Sequence, residues 1–184
     1  MIDPVDARAF DRMISSLDIV GGISFDPLKV LDLRTLTLAD LRFGYFLGLL
    51  SSDWIVRIET MRGVAGYRQS TTQRSLSYLL PDEYSDVDRL ILEGLDVKVL
   101  VGSPARQRWL LVVLRMLHER WSRGAGDPQY EAVEFLDAWG TDGDEVWWQI
   151  RPTGIDAFVF GMGARNRMLN RLRDYLDERR KSAR

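Results

Sequence analysis

The stretch from Ser103 to Gly124 constrains this chain more than any other. Trp109, Leu110, Leu111, Val112, Val113, Leu114, Met116 and Leu117 leave almost no polar face between a capped start at Ser103-Pro104 and a stop at Gly124. Only Arg108, Arg115 and Glu119 keep a narrow polar seam. A helix that is apolar nearly all round has to be covered on several sides. It is therefore expected to be the central helix of the core, with the rest of the chain built around it.

The 184 residues supply that cover: 46% are hydrophobic, and six Trp are a rich stock for this length. A single domain over 1–184 is expected, or a helical part over 1–80 followed by a second part over 81–184. A net charge of -2 gives the whole molecule no strong field toward nucleic acid or membrane. The lack of Cys removes disulfides and thiolate chemistry, and the single His, His118, rules out a histidine-rich metal site. No cofactor loop is present, and none of the apolar runs reaches bilayer length. The acidic N-terminus lacks an apolar signal core, so a soluble, cytoplasmic protein is expected. Arginine carries nearly all the positive charge, a mark of GC-rich bacterial or phage genomes.

In chain order, periodicity and caps predict a helix over 4–17, a short turn or helix from Phe25-Asp26-Pro27 through Leu33, and a helix from Thr37. Asp40 completes a capping box with Thr37, and Gly44 and Gly48 offer places where another helix can approach closely. Alternation predicts a strand over 54–59. A polar loop follows over 63–77, then a short helix from Ser85 to Glu93 stopped by Gly94, and a second strand over 97–101. After the central helix come a helix over 128–139 capped by Asp127, a β-hairpin over 146–159 turning at Pro152-Thr153-Gly154, and a last helix around Met168 to Leu176. The fold class expected is mainly helical α+β, with a small antiparallel sheet.

From Ser85 onward, this order of helix, strand, long helix, helix, hairpin, helix resembles that of the winged helix. The likeness is one of order alone, over about half the chain, and the second helix is too long for an ordinary winged helix. In a DNA-binding member, the helix before the wing would enter the major groove. Here that segment is the wrong sign: Asp127 to Glu145 holds seven acids and no base. The resemblance therefore implies a protein-binding version.

The candidate residues divide by charge. Tyr130, Glu131, Glu134, Asp137, Trp139, Trp147 and Phe158 combine acids with large aromatics, a protein-interface composition suited to a basic partner. Adjacent Trp147 and Trp148 on a strand would face opposite sides, with Trp148 in the core and Trp147 either outward or buried under the last helix in a two-sided hairpin. Arg57, Arg62, Tyr67, Arg68, Arg74, Arg171 and Arg173 form the alternative set, arginines with an aromatic neighbour that suit single-stranded nucleic acid. Gly102-Ser103-Pro104 reads as ordinary capping and His118 as a structural or surface histidine. Asp142, Asp144 and Glu145 lack the full spacing of a calcium loop. No metal or cofactor site is expected. The leading expectation is a non-catalytic protein-interaction module: a subunit, adaptor or immunity-like partner in a bacterial or phage assembly. The alternative is nucleic-acid binding.

Overall fold

The computed structural model describes residues 12, 26–96, 99–100, 102–151 and 162–182. Among these residues the protein is all-α, with nine α-helices and no strand. They are α1 (Pro27–Val30), α2 (Leu38–Phe46), α3 (Ser52–Val64), α4 (Thr71–Ser77), α5 (Asp86–Leu92), α6 (Pro104–Ser122), α7 (Pro128–Ala138), α8 (Thr141–Ile150) and α9 (Met162–Ser182). A 3-10 turn at Pro81–Glu83 precedes α5.

This corrects the α+β expectation. The segment 54–59 lies inside α3, and 146–150 lies inside α8. Of the strand expected over 97–101, only Val99 and Leu100 are described, and both are helical. The helix expected over 4–17, apart from Arg12, and the hairpin's turn and return arm over 152–160 lie outside the described residues. With its first strand unsupported and the first arm of its wing helical, the winged-helix order falls.

The reason is the same at both sites. In α3 the buried positions are Ile55, Val56, Ile58, Glu59 and Arg62, a helical repeat in which two charged residues take inward places. With those two counted as outward, the helical repeat is lost, and Trp54, Val56 and Ile58 read as an alternating run. In α8 the inward positions are Gly143, Val146 and Ile150, again helical, and a glycine holds one of them. A Cβ on Gly143 would lie 1.9 Å from the Leu136 carbonyl oxygen, so only glycine lets α8 sit this close to α7.

The chain forms two compact units. Among the described residues, the first covers those from 26 to 112, and the second covers Arg12 and those from Val113 onward. Helix α6 continues through the division, with Ala105, Trp109, Leu110 and Val112 buried before it and Val113, Leu114, Met116, Leu117 and Trp121 after it. The long buried helix read from the sequence is thus present and contributes to both cores.

In the first unit, Thr37 and Asp40 form the expected capping box. Asp40 also takes a two-pronged bond from Arg108, at 2.6 and 2.8 Å, and its carbonyl accepts from the Trp109 indole at 2.8 Å. Gly44 provides the close approach, since a Cβ there would meet the Trp109 ring at 2.1 Å. The polar loop expected over 63–77 is half helix. Ser70 caps α4, and Gln73 returns the bond to the Ser70 amide. In the second unit, α7 packs on α8, and both pack on α9.

Candidate functional site

The acidic segment folds as α7 and α8, each with one buried and one outward side. Asp127 caps α7 by accepting from the Gln129 and Tyr130 amides, and Pro128 occupies the first turn. Pro128, Ala132, Phe135 and Leu136 point inward, and Trp139 closes the end with its ring 5.7 Å from Phe135. On the opposite side Tyr130, Val133, Glu134 and Asp137 are exposed, Tyr130 by 69%. On α8 the outward residues include Asp144, Glu145 and Trp148.

Of the residues expected at a protein interface, Tyr130, Glu134 and Asp137 share one outward face. Glu131 turns the other way. It accepts from the Trp121 indole at 2.7 Å and from Arg120 at 3.1 and 3.4 Å, tying the start of α7 to the end of α6. Arg165 supports the same connection by donating to the Gly126 and Trp121 carbonyls. Trp139 is fully buried. Because 146–150 is helical, the tryptophan expected in the core is the outward one: Trp147 is half-buried and Trp148 is 62% exposed, with the Arg151 guanidinium 3.4 Å from its ring centroid. Phe158 lies outside the described residues.

The arginine set is divided between the units. Arg57, Arg62, Tyr67, Arg68 and Arg74 belong to the first, and Arg171 and Arg173 to the second. Arg62 is buried beside Glu59 at 3.4 Å and donates to the Leu33 and Arg68 carbonyls. Arg171 is half-buried and donates to the Arg151 carbonyl. Neither guanidinium is presented to a phosphate. Arg57 lies 5.1 Å from the Trp54 ring centroid, Arg173 pairs with Asp174 at 3.4 Å, and Tyr67 is half-buried. Arg68 and Arg74 are exposed.

Pattern reading missed a buried polar cluster in the first unit. Glu59 accepts from Gln69 through both its carbonyl, at 2.7 Å, and its carboxylate, at 2.6 Å. Its other carboxylate oxygen accepts from Gln73 at 3.0 Å. Burial pushes the Glu59 carboxyl above its ordinary range, opposed by Gln69, Arg62 and Gln73. The available signal was Ser70 followed by Gln73, the spacing of a capping box, which marks the start of a helix but not the α3 side chains it packs against.

Asp142 and Asp144 fall in the first turn of α8, where the helix dipole favours acids. Among the described residues, no three His, Cys, Asp or Glu side chains gather to hold a metal ion, and no helix is long and apolar enough to cross a membrane. A shallow recess beside Asp40, Arg108 and Trp109 is bordered by Leu31, Asp32, Thr35 and Leu36.

His118 is half-buried in the second unit. Desolvation depresses its pKa below 6.5. A bond to the Leu169 backbone opposes this, Arg173 adds to it, and Glu119 and Asp177 oppose it. A histidine with a depressed folded pKa binds fewer protons folded than unfolded. Its stabilising contribution is thus complete above about pH 6.5 and is lost as pH falls below that value toward the folded pKa. Thermal melts between pH 7 and 5 should show the His118→Gln variant losing less stability than the wild type. Since this is the only His, its ring resonances report the folded pKa directly.

No family model matches the chain, and comparisons with curated proteins and with solved structures give no match. Fold and surface together define an all-α class in which the outward sides of α7 and α8 carry acids and aromatics.

Proposed function

We propose that this chain is a non-catalytic protein-interaction module, acting in the cytoplasm as a subunit, adaptor or immunity-like partner in a bacterial or phage assembly. It takes a basic protein on the outward sides of α7 and α8. The observation that carries this reading is the combination of acids unaccompanied by any base from Asp127 to Glu145 with large exposed aromatics beside them. Tyr130 and Trp148 supply rigid contact area, with half-buried Trp147 at the edge. Glu134 and Asp137, on the Tyr130 side of α7, repel phosphate and speed the capture of a cationic surface. Glu131 and Trp139 serve this surface from beneath, by holding α7 in place.

The test is capture from a host lysate with the wild type and with Tyr130→Ala/Trp148→Ala. Both side chains are exposed, so each change should move stability by no more than about 0.5 kcal/mol. Binding of the captured protein should weaken by about 2 kcal/mol or more per anchor, and the wild-type association rate should fall as salt rises. Equal capture by both forms, or a captured species that is nucleic acid, overturns the reading.

A further inference from the structure

The first unit carries a surface of the opposite sign, independent of the α7–α8 face. Between Trp54 and Pro81 the only acid is Glu59, and it is fully buried against Arg62, Gln69 and Gln73. The exposed charge of this segment is therefore entirely positive, from Arg57, Arg68 and Arg74. Apolar side chains stand among these arginines. Met61 and Val64 lie on the outward side of α3, one turn and two turns beyond Arg57, and Val64 is 86% exposed. Tyr78, 76% exposed, lies one turn beyond Arg74 at the end of α4, and Leu80 follows it. The Thr60 hydroxyl lies 2.9 Å from the Val56 carbonyl and 3.1 Å from the Ser77 carbonyl, which brings the outward stripe of α3 beside the residue before Tyr78. The two helices thus present one neighbourhood of exposed aliphatic and aromatic groups with the Arg57 and Arg74 guanidinium groups among them. At its ends stand the exposed acids Asp53, in the first turn of α3, and Asp82 and Glu83, beyond Leu80.

We infer that this α3–α4 face docks an acidic amphipathic segment of a protein partner. Such a segment would lay its apolar side on Met61, Val64 and Tyr78 and set its carboxylates toward Arg57 and Arg74. Charge complementarity selects an acidic occupant. The aliphatic content selects protein over nucleic acid, because a phosphate backbone gains nothing from Met61, Val64 or Leu80, whereas an amphipathic helix is anchored by such groups.

The test uses the full chain and three probes: a synthetic Leu/Glu amphipathic helix, its Leu/Lys counterpart and an oligothymidylate. The Leu/Glu peptide should shift the Met61 and Val64 methyl and Tyr78 ring resonances, and bind more weakly as salt rises. Val64→Glu and Tyr78→Ala, both at exposed positions, should leave thermal melts unchanged yet weaken that binding about tenfold or more. Equal binding of the Leu/Lys peptide overturns the proposal, as does no shift with any probe. Oligothymidylate shifting these resonances while the Leu/Glu peptide does not would assign the face to nucleic acid. Concentration-dependent self-association abolished by Val64→Glu would assign it to a second copy of the chain.

Discussion

Replacing Glu59 with Ala should destabilise the first unit by about 3–5 kcal/mol, the cost of leaving a buried partner charge uncompensated. Arg62 is 2% exposed, and its Nε has the ion pair with Glu59 at 3.4 Å but no hydrogen bond. Without the carboxylate, that guanidinium keeps only the Leu33 and Arg68 carbonyls, the Gln73 amide loses its acceptor, and Gln69 keeps only the main-chain carbonyl of residue 59. Denaturant melts, together with faster amide exchange in α3 and α4, would register the loss. A cost below about 1 kcal/mol would put the cluster with solvated surface pairs. Acid should not mimic this variant. A carboxyl whose folded pKa is raised binds its proton more tightly folded than unfolded. Its stabilising contribution is therefore complete below the unfolded value near 4.5 and is lost as pH rises through the folded pKa.

The second large effect is expected at Trp109. Truncation to Ala removes a fully buried indole and its bond to the Asp40 carbonyl, and should cost about 3–5 kcal/mol in denaturant melts. The site also predicts a coupling. Gly44→Ala alone should cost about 1–3 kcal/mol by overpacking, because the new methyl would overlap the Trp109 ring. In the Trp109→Ala background the obstruction is gone and the same change should cost far less. A double-mutant cycle measures the difference, and additive costs would mean that Gly44 and Trp109 do not share the space the structure gives them.

The candidate site was legible in its charge and only partly in its geometry. Acids without bases from Asp127 to Glu145 are a property of the sequence alone, and Tyr130, Glu134 and Asp137 fall on one side of any helix begun at Pro128. Which tryptophan faces outward was not legible. The period of 146–150 decides it, and Gly143 hides that period by filling an inward position with no side chain. Glu131 reads as one more surface acid, yet the Trp121 indole and Arg120 claim it.

Local chemistry by itself determined the helices whose signals lie within one turn. These are the Thr37–Asp40 box, the Asp127-Pro128 start, and the uninterrupted apolar run that makes α6 a buried helix. It also determined the charge of each segment. Tertiary structure alone decided the state of 54–59 and 146–150, because their inward positions are filled by residues that a two-letter hydrophobic pattern counts as outward. Glu59 and Arg62 are buried only because Gln69 arrives from the loop before α4, Gln73 arrives from α4 and each other's charge is at hand. Gly143 is inward only because the Leu136 carbonyl lies where a side chain would be. Both conditions depend on a neighbouring helix, and no window along a single segment contains it.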